Sequence, residues 1–271
     1  MIRALEQIRR MRGGAQSHLM RCADGHYYVV KFQNNPQHTR VLVNEMLGTR
    51  LAERLGLPTT PLAVIYVSEE LIQLTPELCV ETSRARIPCV PGPQFGSRFP
   101  GDPHRLTLLD FLPDPQLAYV ENVHDFAGML VFDKWTCNTN GRQTLFKREA
   151  GRAGEDSGPP YRAIMIDQGF CFNAGEWNFP DAPLRGLYAR NRVYEGVTGK
   201  ESFAPWLERL QNRISERILD SILQEIPPDW YDDNLDALTQ LAERLYRRRE
   251  RVPELLFAAK NTTRQPFPNW I

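Results

Sequence analysis

Residues 12–32 read Arg12-Gly13-Gly14-Ala15-Gln16-Ser17-His18-Leu19-Met20-Arg21-Cys22-Ala23-Asp24-Gly25-His26-Tyr27-Tyr28-Val29-Val30-Lys31-Phe32. Two β-rich runs, 18–22 and 26–32, flank Ala23-Asp24-Gly25, and Asp-Gly between such runs is a strong hairpin signal. The stretch predicts a glycine loop, a strand, a turn and a second strand that carries Lys31. Upstream, residues 1–12 fit a strand or a helix equally. Downstream, Val43, Met46, Leu47, Leu51 and Leu55 recur at intervals of three and four, so 40–55 predicts an amphipathic helix stopped by Gly56. Pro61-Leu-Ala-Val-Ile-Tyr-Val67 predicts a buried strand.

A stretch dense in proline and glycine follows, from Pro88 to Pro103, and holds the expected lobe boundary near residue 100. Beyond it the chain turns helical. Helical spacing runs over 120–132 and ends at Asp133, and 203–224 and 235–251 read as helices separated by Pro227-Pro228. Residues 147–162 read as a polar surface insertion, 162–167 as a short apolar strand ending on an acid, and 168–190 as irregular. A β-rich first third before a mostly helical remainder is an α+β pattern. It divides into an N-lobe over 1–99 and a C-lobe over 100–271.

The 271 residues are 42% hydrophobic, enough for a full core. The 33 basic and 33 acidic residues balance, which gives no electrostatic reason to expect nucleic acid or an anionic membrane as partner. No run reaches the ~18 apolar residues of a membrane span, and the first residues show no signal-peptide pattern. The five cysteines are scattered without metal-ligand spacing, as free thiols in a reducing cytoplasm would be. The basic tract Arg244–Arg251 reads as the solvated end of a helix.

Phosphoryl transfer needs a phosphate cradle, a cation on the phosphates, metal ligands and a group that orients the nucleophile. The chain offers one candidate for each, in the order a protein kinase uses them. Gly13-Gly14-Ala15-Gln16 could bring backbone N–H groups close to phosphate. Lys31 sits on the following strand, and Glu45 on the next helix is its natural partner. Asp133 precedes Asn138 by five residues, the spacing of a kinase catalytic loop. Lys134 beside it reads as a solvated neighbour. Asp167-Gln168-Gly169 closes an apolar strand as the metal-binding Asp of a DFG segment does. Each signal alone also describes an ordinary loop, strand or turn. The order and setting give them weight together.

Beyond these signals, the sequence resembles the HipA-like kinases, specifically the short relatives of the HipA toxin kinase. The resemblance spans nearly the whole chain and rests on Gln94-Phe-Gly-Ser-Arg98, Leu130-Val-Phe-Asp-Lys-Trp-Thr-Cys-Asn138 with Arg142-Gln143, Met165-Ile-Asp-Gln-Gly-Phe-Cys-Phe172, Trp177-Asn-Phe-Pro-Asp181, Ile226-Pro-Pro-Asp-Trp230 and Pro266-Phe-Pro-Asn-Trp270. It implies a two-lobed protein-kinase-like fold, ATP and Mg²⁺ as cofactors, and phosphorylation of serine or threonine in a protein. It further implies Asp133 as the catalytic residue, Asn138 and Asp167 as magnesium ligands, Lys31 as phosphate ligand and Gly14-Ala15-Gln16 as the phosphate loop. The adenine hinge falls within 95–106. Three departures stand out. His18 occupies the position of the toxin kinase's loop lysine, Met11 that of its regulatory serine, and Gln168 that of the hydrophobic DFG residue. A small-molecule or lipid kinase, or a non-catalytic nucleotide-binding scaffold, are the alternatives. Trp177 and Phe179 read as pins that hold the loop after Gly169 to the helical lobe.

Overall fold

The glycine loop and hairpin form as the turn chemistry dictates: β2 (His18–Cys22) and β3 (Tyr27–Lys31) pair antiparallel across a turn with Gly25 at φ 80°. The computed structural model describes residues 1–105, 108–149 and 160–271. The ambiguous start of the chain is β1 (Ile2–Arg10), antiparallel to β2 and parallel to β4 (Leu62–Val67). Its pairing with β2 slips twice, between Ala4 and Glu6 and between Gln7 and Arg9, and only Ala4 is fully buried. Bulges of this kind break the period-two alternation that marks a strand in sequence. A short pair, β5 (Cys79–Glu81) and β6 (Arg86–Pro88), flanks β7 (Gly92–Arg98) in the chain. The order β1-β2-β3-β7-β4 closes into a barrel. Ala4, Met20, Tyr28, Val30, Ile65 and Val67 fill its interior.

α1 (Val41–Leu55) connects β3 to β4 and ends on Gly56 in the left-handed conformation, φ 76°. α2 (Glu69–Leu74) is capped by Ser68, which accepts from Leu71 N–H. The remainder is built on α3 (Asp114–Leu117), α4 (Asp125–Thr136), α5 (Ala204–Arg213), α6 (Glu216–Leu223), α7 (Leu235–Arg248) and α8 (Val252–Lys260). A second sheet, β8 (Leu108–Leu109), β9 (Gln143–Arg148) and β10 (Tyr161–Ile166), packs in the order β10-β9-β8. The chain is thus α+β, as its pattern predicts. The expected helix over 203–224 is two helices, because Ser215 takes an extended conformation and caps α6 through Ile218 N–H.

The hydrophobic cores divide the molecule differently from a cut at residue 100. One core fills the barrel. The larger one unites Val43, Leu47 and Leu51 of α1 with Phe132 of α4, Trp206 of α5 and Leu241 of α7. α1 therefore belongs with the helical part. α4 is its central element, with all twelve residues buried. Among the described residues no helix is long and apolar enough to cross a membrane. All five cysteines are unpaired and buried. Most of the expected insertion, 150–159, and Leu106 at the end of the expected hinge lie outside the described residues.

Candidate active site

Lys31, Glu45 and Asp167 come from three distant parts of the chain and meet where the barrel faces the helical part. The Lys31 ammonium donates to Glu45 Oε1 and, at 2.8 Å, to Asp167 Oδ1. Side-chain exposure is 9% for Lys31, 4% for Glu45 and 16% for Asp167. Burial disfavours the ammonium, but the two carboxylates outweigh it and push the Lys31 pKa up. Burial also works against the Asp167 carboxylate, yet Lys31 beside it holds its pKa down at about 2. Asp167 adopts φ 61°, a left-handed conformation rare for a residue with a side chain. Strain of this sort concentrates at functional sites. Glu45 does more than neutralise Lys31, since it accepts the backbone N–H of Gln168 at 3.1 Å and of Gly169 at 2.9 Å. One helix carboxylate thus fixes both the lysine and the turn after Asp167.

Asp133 and Asn138 lie elsewhere than expected. Helix α4 continues past Asp133 to Thr136, so Asp133 sits in its last turn and not in a loop. The Asp133 and Arg142 side chains are both 0% exposed. Arg142 Nε donates to Asp133 Oδ2 at 2.9 Å, its Nη2 donates to Oδ1, and Asn138 Nδ2 donates to Oδ1 at 2.9 Å. Gly186 seals the remaining side: at φ 77°, any Cβ there would fall 2.4 Å from Asp133 Cβ. A carboxylate so enclosed is not open to an acceptor hydroxyl, and Asn138, 1% exposed, is not open to a metal. This corrects the roles that spacing suggests for both. The reason is physical: a helix buried on every side tolerates an acid only if it is paired, and Arg142 is the pair. Arg142 also donates to Ile166 O at 2.8 Å and Gln168 Oε1 at 2.9 Å, tying α4 to the Asp167 segment.

The side chain that does reach Asp167 is Gln143, the exposed first residue of β9, whose Nε2 lies 2.7 Å from Asp167 Oδ2. Its position was the available signal, because the polar residue that opens the strand after the loop faces the strand that ends in Asp167.

In the glycine loop, Gly13 has φ 114°, and Gln16 N–H closes the turn onto Gly13 O at 3.2 Å. The Gln16 amide is engaged by both the N–H and the C=O of Glu81, each at 2.7 Å. Gln16 can therefore offer only backbone to a phosphate. Asn35 donates to Ala15 O at 3.0 Å and steadies the loop. His18 points into the barrel, fully buried, and burial depresses its pKa to about 4. It cannot replace a phosphate-binding lysine.

Two further expectations change. Lys134 is buried, not solvated, and donates to Pro183 O at 2.6 Å and Arg185 O at 2.7 Å, with burial lowering its pKa to about 8. Arg248 and Arg249 of the basic tract are buried as well, whereas Arg244, Arg247 and Arg251 are exposed. Arg248 donates to Trp135 O at 2.9 Å and Lys134 O at 3.1 Å and pairs with Asp181, so it satisfies carbonyls that the end of α4 leaves open. Trp177 and Phe179 do pin their loop. Trp177 Nε1 donates to Asn44 Oδ1 at 2.8 Å, and Arg248 lies 4.9 Å over the Phe179 ring.

The sequence matches the family described as HipA-like kinase over residues 4–147, more than half of the chain and the part that supplies Lys31, Glu45, Asp133 and Gln143. The chain belongs to the HipA-like kinases. No curated protein matches it significantly. Among solved structures, the Helicobacter pylori proinflammatory kinase CtkA is similar at TM-score 0.58 and 14% identity, over 96% of this HipA-like chain and 94% of its own. The Golgi casein kinase with Mn/ADP bound aligns at TM-score 0.50 and 10% identity, over 97% of this chain and 73% of its own. At such identities the likeness shows the fold, which is protein-kinase-like. Family and fold together support a phosphotransferase.

Proposed function

We propose that the protein is an ATP- and magnesium-dependent kinase that transfers the γ-phosphoryl group to a hydroxyl, with serine or threonine of a protein as the acceptor class. The observation that carries this reading is the Lys31–Glu45–Asp167 cluster at the seam between barrel and helices. Burial pushes the Glu45 pKa up, whereas Lys31 keeps Asp167 ionised and Asp167 stays partly exposed, so Asp167 is the carboxylate of the cluster that can offer an oxygen to a divalent cation. The donors suit magnesium, a hard cation that commonly takes one or two carboxylates plus phosphate oxygens. Asp167 and the amide oxygen of Gln143 are the residues that would hold it, with Gln143 in the role that spacing gives to Asn138. The metal would neutralise phosphate charge. Lys31 anchors the nucleotide phosphates, Glu45 holds Lys31 in place, and the backbone N–H groups of Gly13, Gly14 and Ala15 cover the phosphates. Arg142 and Asp133 position the Asp167 segment from behind.

A second reading has an observation of its own. The loop from Cys137 to Arg142 contains no carboxylate, and Asp133 is sealed. On this reading the site binds Mg-ATP but lacks a carboxylate to orient an acceptor, so transfer is slow and nucleotide binding is the main property. Single-turnover transfer from labelled ATP to a generic Ser/Thr-rich protein, with nucleotide affinity measured alongside, separates the two. Wild type that transfers at a kinase-like rate supports the first reading. Binding without transfer, with transfer gained by Asn140→Asp, supports the second. Absence of Mg-ATP binding at millimolar nucleotide defeats both.

A further inference from the structure

A cavity of about 440 Å³ opens on the helical part, lined by residues of 117–127 and 192–209 and sharing none with the nucleotide cluster. Its volume lies in the range of small-molecule sites, ~300–1,000 Å³. Its walls are apolar: Leu117, Val123, Ala127, Val193, Val197 and the indole of Trp206. Gly128 on α4 makes that arrangement possible, because any Cβ there would sit 2.4 Å from the Trp206 ring. A glycine inside a helix costs ~1 kcal/mol relative to alanine. Here it lets the indole lie against α4.

The rim is charged, and unevenly. Arg192 and Arg209 line the cavity against the carboxylate of Glu195, while His124, also on the rim, lies 3.2 Å from its own partner, Asp125 Oδ1. Among the described residues the Arg192 guanidinium has no hydrogen bond or ion pair, although Glu195 is only three residues away. Arg209 is stacked 4.3 Å over Trp206 and donates from Nη1 to Leu55 O at 3.4 Å, which leaves its remaining N–H groups at the junction of apolar wall and rim. An apolar chamber with surplus positive charge at its mouth fits a ligand of matching design.

We propose that this cavity binds a small amphipathic anion, its apolar body against Trp206 and Val193 and its carboxylate or phosphate end on Arg192 and Arg209. His124 opens α4 at the cavity, and the same helix carries Asp133 at its other end, so the site adjoins the frame of the active site without entering it.

Isothermal titration calorimetry with decanoate, decanol and decylamine tests the proposal, on wild type and on Arg192→Glu/Arg209→Glu. Both arginines lie outside the nucleotide site, so the Mg-ATP thermal shift should be unchanged in the variant and serves as its folding control. The expected result is saturable one-to-one binding of decanoate, at least tenfold tighter than decylamine, and at least tenfold weaker in the variant. Arg192→Glu alone, at an exposed position, should lose part of the affinity and covers the case of a double variant that folds poorly. Decylamine binding as tightly as decanoate, undiminished decanoate binding in the variants, or no decanoate binding at millimolar concentration each overturns it.

Discussion

Two ion clusters stand side by side in this molecule and behave as opposites. Lys31, Glu45 and Asp167 form an open cluster: an ammonium between two carboxylates, one of which keeps an oxygen in contact with the exposed Gln143. Asp133 and Arg142 form a closed one, each side chain fully out of solvent and each charge matched within the pair. The open cluster keeps the Asp167 carboxylate partly exposed and can take a ligand. The closed one is complete and can only hold position. In sequence both look alike, as an acid near a base or an amide. Access and lone-pair occupancy tell them apart.

The largest effect should come from breaking the closed cluster. Arg142→Ala leaves a buried carboxylate unpaired and should cost ~3–5 kcal/mol, lowering Tm by roughly 6–15 °C in scanning calorimetry. Asp133→Ala on top of it should recover part of that loss, since paired sites are not additive. A loss below ~1 kcal/mol in the single variant would mean that the pair is not sealed.

Next is the open cluster's ligand. Mg-ATP at ~100 times Kd should stabilise wild type by ~2.7 kcal/mol, and Asp167→Ala should abolish the shift while lowering the ligand-free Tm by the few degrees that loss of the Lys31 pair costs. An intact shift in the variant would remove Asp167 from the site.

The third test is pH. The Asp167 pKa is depressed in the folded state, to about 2 from an ordinary 3.8. Its contribution is therefore complete above pH ~4 and is lost as pH falls toward ~2, and the difference amounts to ~2 kcal/mol. Wild type and Asp167→Asn, compared by urea unfolding without magnesium, should converge in stability across that window. A constant gap would break the assignment.

The smallest effect belongs to Gln143→Ala, which should weaken magnesium-dependent nucleotide binding about tenfold and leave metal-free binding unchanged, the loss of one hydrogen-bonding ligand group of ~1.4 kcal/mol. An equal loss with and without metal would give Gln143 a merely structural part.

Much of the frame was legible because its signals are local. The Asp24-Gly25 hairpin, the three-four rhythm of α1 and the apolar run into Asp167 follow from turn chemistry and periodicity. β1 was not legible, because its bulges erase alternation and its pairing with β4 is a long-range closure. The roles of Asp133 and Asn138 were misread for a related reason. Spacing records distance along the chain but not how far a helix continues, and α4 runs one turn beyond Asp133 with Cys137 left-handed at its end, φ 51°. The solvated reading of Arg248 and Lys134 failed because a charge run does not reveal the backbone carbonyls at α4 and the Pro183–Arg185 segment that draw individual members inward.

The attachment of α1 bears on how such a site could open. Its apolar face is shared with α4, α5 and α7, Glu45 holds the Gln168–Gly169 turn, and Asn44 binds the carbonyls of Gly169, Cys171 and Ala174. The helix is a rivet in the stationary half. Should the barrel move against that half, it would carry Lys31 toward or away from an Asp167 carboxylate whose following turn α1 holds in place. Hydrogen exchange would register this as α1 amides protected in step with α4, while the barrel strands open more readily.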